Sequence, residues 1–146
     1  MTDTEDQAQI DALMARFYGA FDNRQGRVPQ ADDMCSLFTD SAVITQHRDD
    51  GRCEFHTPDD FVHPRIALLT EGSLTDFHEW EETSDTRIFG RVASRSSHYA
   101  KQGLLKGASC AGQGSKLFQL VKLQDGWRIV AMSWISDVLS PAATPS

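Results

Sequence analysis

After Glu71-Gly72-Ser73 the apolar pattern of this chain changes from helical spacing to long runs of strand-forming residues, and this segregation limits the possible folds more than any single motif. Before the change, Ile10, Leu13, Met14, Phe17, Tyr18 and Phe21 recur at intervals of three and four, which makes one apolar stripe on a helix. Thr4 with Gln7 three residues on has capping-box form, so this helix is predicted to begin at Glu5. Gly26 and Pro29 place its end near Asn23. A short second helix, started by Asp32 or Asp33, buries Met34, Leu37 and Phe38. The β-branched run 42–45, the Asp50-Gly51 pair and residues 53–56 then predict a small hairpin. Thr57-Pro58 opens a third helix: threonine caps it, proline takes the first helical position, and Asp59 and Asp60 face its positive end. Pro64 predicts that this helix is short, bent or broken.

Beyond residue 73, Leu74 to Lys101, Lys116 to Leu123 and Trp127 to Ile135 read as long strands, with Gln124-Asp125-Gly126 as a three-residue hairpin loop. Gly112 and Gly114 in AGQGSK (111–116) lack the length and following helix of a phosphate loop, so that stretch reads as a loop before a strand. Helices and a small hairpin followed by a four-strand meander predict an α+β fold, with helices on one face of a curved, mostly antiparallel sheet. Wrapped around the long N-terminal helix, such a sheet leaves a cone whose open end is a natural pocket.

With 146 residues the chain has room for one domain, taken as residues 1–146 with loosely held ends at 1–4 and 139–146. A net charge of −7 argues against a partner that is nucleic acid or an anionic membrane surface. No run approaches the ~18 apolar residues of a membrane span, and the acidic start MTDTEDQAQ is not a signal peptide. Three scattered cysteines, Cys35, Cys53 and Cys110, read as reduced thiols, and the expected compartment is the cytoplasm.

In ALMARFYGAFDNRQG (12–26), LFTDSAVI (37–44), RIFGRVASRSSHYAK (87–101) and LVKLQDGWRIVAMSW (120–134) the chain resembles the nuclear transport factor 2-like superfamily, which includes SnoaL-like polyketide cyclases and ketosteroid isomerase-like proteins. The resemblance spans nearly the whole chain and implies a cystatin-like cone. It implies little about activity, because the superfamily holds isomerases, dehydratases, cyclases, hydrolases and non-catalytic binders. The isomerase residues carry over poorly. The helix-1 tyrosine falls on Phe17 with Tyr18 one place away, the general-base aspartate on Gln46, and the proton-donating aspartate on or beside Gln119. A glutamine cannot move a proton as a carboxyl group does, so steroid isomerisation by that mechanism is not expected.

A turn at Phe89-Gly90-Arg91 would set Ile88 opposite Val92. Asp85 then meets Arg95, Glu79 meets Lys101 and Glu81 meets Tyr99, a ladder that reads as solvent-facing. The other face pairs Thr86 with Ser94, Ser84 with Ser96, Glu82 with His98 and Trp80 with Ala100, and reads as pocket wall. Glu82 and His98 are the one acid–base dyad on offer, with Trp80 as a flat apolar wall. A two-residue turn would instead place His98 opposite Thr83 and break the dyad. His47, His56, His63 and His78 lack metal-ligand spacing, so no metal is expected, and the cysteines lack a partnered base.

Pairing around 124–126 leaves Phe118, Leu120, Val130, Met132 and Trp134 on a second apolar face, for which a second copy of the chain is the natural cover. The functional expectation is a cofactor-free isomerase, dehydratase or cyclase that transfers protons on a small hydrophobic, ring-containing molecule. His98 and Glu82 would act, and Trp80, Tyr18, Gln46, Ser96, Gln119 and Ser133 would line the site. The alternative is a non-catalytic ligand-binding or dimeric interaction domain.

Overall fold

A computed structural model describes residues 3–135 and the backbone of residues 140–141. Helix α1 runs Asp3–Gly19, two residues ahead of its predicted start and four short of its predicted end. Its buried stripe is the expected one, joined by Asp6. A 3-10 turn at Arg24–Gly26 leads to α2 (Ala31–Cys35), and Phe38 belongs already to strand β1 (Phe38–His47). β1 pairs with β2 (Cys53–His56) from Ile44 opposite His56 to His47 opposite Cys53, the predicted hairpin. Helix α3 (Pro58–Thr70) is capped by Thr57 Oγ1, which accepts from the Asp60 amide at 3.1 Å. It continues through Pro64. That proline lacks only the one amide that Asp60 would accept, and both residues lie on the exposed face, where water can take the carbonyl.

The strands β3 (Leu74–Phe89), β4 (Val92–Leu105), β5 (Ala108–Leu123) and β6 (Gly126–Ile135) follow as a meander. The sheet order is β2-β1-β6-β5-β4-β3, with β1 and β6 parallel and every other pair antiparallel. A two-residue strand β7 (Ser140–Pro141) pairs with β5 at Ala111 and Cys110. Part of the predicted loose ends is therefore placed: Asp3 and Thr4 are helical and 140–141 are paired, while 1–2, 139 and 142–146 lie outside the described residues. The stretch 111–116 is strand, not loop. Gly114 sits opposite Tyr99, and a Cβ there would lie 2.6 Å from the Tyr99 hydroxyl, so glycine makes room for the ring. All three thiols are free. No helix among the described residues is long and apolar enough to cross a membrane.

The β3–β4 hairpin corrects the predicted register. Phe89 pairs with Val92, leaving the two-residue turn Gly90-Arg91, and Gly90 takes φ 62 at the first position. Thr86 therefore meets Arg95, Asp85 meets Ser96, and His98 meets Thr83. A bulge between Glu81 and Thr83 absorbs the shift, so Glu81–Tyr99, Trp80–Ala100 and Glu79–Lys101 pair as predicted. Glu82 is the residue left over. The faces are also reversed: Arg95, Ser97 and Tyr99 are buried against α1, whereas His98 is exposed. The supposed solvent ladder is the inner wall.

A second bulge, between Gln119 and Leu120 on β5 and across Val130 on β6, turns Trp127, Ile129, Met132 and Trp134 all inward. Phe118, Leu120, Met132 and Trp134 are thus core rather than a dimer face; Phe118 packs edge-on against Phe17 with centroids 5.2 Å apart, and Trp134 against Phe61 at 5.5 Å. Val130 alone of the five is outside that core. At the centre, Phe17 is fully buried and also touches the rings of Tyr18, Phe21 and Phe38.

Candidate functional site

The closed part of the cone is filled by the Phe17 cluster. Its open end holds a cavity of about 170 Å³ between α3 and the inner face of the sheet. Phe61, Arg65, Leu68 and Leu69 come from α3, Phe21 from the turn after α1, and Leu74, Phe77 and Glu79 from β3. Gln46, Tyr99, Lys101, Lys116 and Trp134 complete the lining from β1, β4, β5 and β6. Asn23 holds this rim together: its side-chain amide donates to the carbonyls of Leu69 (2.9 Å) and Leu74 (2.7 Å) and accepts from the Phe77 amide (2.7 Å). All three residues it ties line the cavity.

Most of the wall is aromatic or aliphatic, but one side is charged. Glu79 Oε2 lies 3.6 Å from Lys116 Nζ, with both side chains over nine-tenths buried, and that carboxylate oxygen makes no hydrogen bond among the described residues. The Lys116 ammonium sits 3.3 Å from the centre of the Tyr99 ring. Across the cavity the Arg65 guanidinium lies 4.0 Å over Phe61 and 5.4 Å from Trp134. Arg65 donates one hydrogen bond, to the Phe61 carbonyl at 3.0 Å. Burial pushes its pKa down to about 10, which leaves it charged at neutral pH.

Beside the cavity, a buried polar chain joins α1 to the sheet. Arg95 is gripped by Glu81 and by Asp11 (2.6 Å), and also donates to Thr86 (3.0 Å). Ser97 gives its proton to Glu81 at 2.6 Å, so Tyr18 must donate to Ser97, also at 2.6 Å. Burial raises the Tyr18 pKa, keeping the phenol neutral.

Of the residues chosen from sequence, Gln46 lines the cavity and Tyr18 lies in the adjoining chain. The others do not converge. Glu82 and His98 are exposed and unpaired with each other, and His98 Nδ1 is 2.6 Å from Ser115 Oγ instead. Trp80 lies on the edge strand, stacked on His78 with centroids 4.6 Å apart, and reaches a shallow groove between α1 and β3. Ser96, Gln119 and Ser133 alternate with the inward-facing Ser97, Phe118 and Trp134, so they point to the outer face. His78 is half-buried in β3, and burial lowers its pKa.

Sequence reasoning missed Arg65, Glu79 and Lys116, although each breaks an apolar pattern. Arg65 falls four residues after Phe61 and four before Leu69; Glu79 and Lys116 each take the position two from a core phenylalanine, Phe77 and Phe118. A charge on a buried face was the available signal.

A possible metal-ligand set lies elsewhere. Cys35 on α2 and Asp59 and His63 on α3 bring one donor atom each within 4.8 Å of one another. Asp59 and His63 have the i,i+4 spacing of two ligands on one helix face, which histidine spacing alone did not reveal. No fourth donor joins them among the described residues.

By sequence the chain matches no family model and no curated protein. By structure it is similar to a candidate aromatic ring hydroxylase from Novosphingobium aromaticivorans, with a TM-score of 0.73 and 17% identity over 97% of this chain and 96% of that one. It is similar to a hexachlorocyclohexane dehydrochlorinase of LinA type 2, with a TM-score of 0.73 and 11% identity over 97% and 91%. An NTF2-like protein with a cystatin-like fold, also from Novosphingobium aromaticivorans, matches with a TM-score of 0.66 and 14% identity over 90% and 82%. The chain has the cystatin-like fold of NTF2-like proteins, as its sequence resemblance implied.

Proposed function

We propose that this protein holds a compact, mainly apolar molecule at the open end of the cone and moves a proton on it, with Glu79 as the acid–base group. The carrying observation is the Glu79–Lys116 pair: a carboxylate over nine-tenths buried, at one side of an aromatic-walled cavity, with an oxygen that makes no hydrogen bond among the described residues. Such an oxygen is available to a substrate proton, and Lys116 at 3.6 Å stabilises the carboxylate between turnovers. Tyr99 and Gln46 line the same cavity. Two neighbours in fold carry names that refer to ring compounds, which agrees with aromatic walls suited to a ring.

Incubation in D2O with a panel of small cyclic ketones and cyclic keto acids, followed by NMR, tests this reading. The wild type exchanges an acidic C–H of at least one member, and Glu79→Gln abolishes exchange while still binding that compound. Binding without exchange in the wild type would establish the second reading, a ligand-binding module in which Glu79 serves only to neutralise Lys116.

A further inference from the structure

From the environment of Arg65 we infer that the ligand is an anion, specifically a small carboxylic acid whose apolar body fills the cavity and whose carboxylate meets the guanidinium. This rests on the cone-end cavity being the ligand site. Arg65 carries five N–H donors, of which one is used among the described residues, on the Phe61 carbonyl. Among the described residues no carboxylate lies within ion-pair distance of it; Glu79, the acid facing the same cavity, favours its charge from farther away and is itself paired with Lys116. The guanidinium carbon lies 4.0 Å from the centre of the Phe61 ring and 5.4 Å from that of Trp134, and the side chain lines the cavity.

Such a placement is costly for folding alone. A half-buried cation with no carboxylate at ion-pair distance among the described residues loses hydration that ring contacts and the more distant Glu79 only partly return. A bound carboxylate supplies what is missing, because its two oxygens match the guanidinium fork in a bidentate pair. Size restricts the class further. About 170 Å³ is well below the 300 Å³ or so at which drug-sized pockets begin, so the ligand is a single-ring or short-chain acid.

The test pairs each acid with its neutral near-isostere: benzoate with benzamide, and cyclohexanecarboxylate with cyclohexanecarboxamide. Binding to the full chain is followed by titration calorimetry at neutral pH. In the wild type at least one carboxylate binds about tenfold or more tighter than its amide, the size of effect expected of a hydrogen-bonded charge pair. Arg65→Met removes that preference but leaves amide binding within about threefold, and Arg65→Lys retains part of it. Arg65→Gln serves as a second neutral variant if Arg65→Met does not fold. Equal binding of acid and amide by the wild type, or a preference that survives in the neutral variant, overturns the inference and leaves the pocket standing. No binding by either member of both pairs overturns the pocket reading as well. Carboxylate binding without any C–H exchange would remove the catalytic role of Glu79 while keeping the anion site.

Discussion

Asp22 shows how a single side chain at the exit of α1 can set the acid limit of the fold. Its carboxylate accepts from the backbone amide of Arg24 (3.0 Å), from Nε (3.0 Å) and from Nη2 (2.9 Å) of the same residue. Those bonds, with the Arg24 charge behind them, lower its pKa from 3.8 to about 2. A carboxyl group whose folded pKa is depressed adds stability above its unfolded pKa and loses it as pH falls through the folded one. Wild type should therefore be more stable than Asp22→Asn above about pH 4, with the difference shrinking between pH 4 and pH 2. Urea titrations at closely spaced pH values check this; a gap that persists at pH 2 would show that the asparagine acts by packing. The neighbouring Asn23 works without charge, and its three hydrogen bonds align Leu69, Leu74 and Phe77 at the cavity rim.

Among the elements, the β3–β4 hairpin decides most of what faces inward. A two-residue turn with Gly90 first shifts every pair between the turn and the bulge by one residue. The bulge at Glu82 then restores the pairing that brings Glu79 beside Lys101. Opposite them, β5 must let Tyr99 lie flat beneath the Lys116 ammonium, and Gly114 is where it does so. Gly114→Ala would bring a methyl group to 2.6 Å from the Tyr99 hydroxyl and 2.8 Å from Cζ, so the ring must move. A loss of about 1–3 kcal/mol in denaturant melts is expected from this overpacking. Adding Tyr99→Leu to Gly114→Ala should cost less than the two single changes summed, since the clash goes with the ring. Strict additivity would mean that Tyr99 had already escaped the contact.

Across the whole molecule, apolar burial and site electrostatics are kept apart. Phe17 and its aromatic neighbours fill the closed part of the cone, so the open end can carry Arg65, Glu79 and Lys116 without being needed to hold the fold together. Arg65→Met should accordingly leave unfolding stability within about 1 kcal/mol of wild type, or raise it, because the methionine keeps the contact with Phe61 and no longer buries a charge. Thermal and denaturant unfolding in the absence of ligand measure this. A clear loss would assign the guanidinium to the fold instead of the ligand.

Local spacing in the chain was enough to establish element types and their order. The α1 stripe from Ile10 to Phe21, the Asp50-Gly51 hairpin, the Thr57-Pro58 helix start and the late strand runs all depend on residues a few positions apart, and all are found near their predicted places. Which face of β3, β4 and β6 looks inward was decided only by the tertiary structure. One unpaired residue at Glu82, and another at Val130, reverses the alternation of everything beyond it, and no local pattern marks either position. The two-residue turn at Gly90-Arg91 separated Glu82 from His98, and the supposed dimer face became core. The cavity depends on still longer connections: Arg65, Glu79 and Lys116 belong to a helix and two non-adjacent strands, and they line one cavity only when the sheet curls around α1 and α3 closes over it.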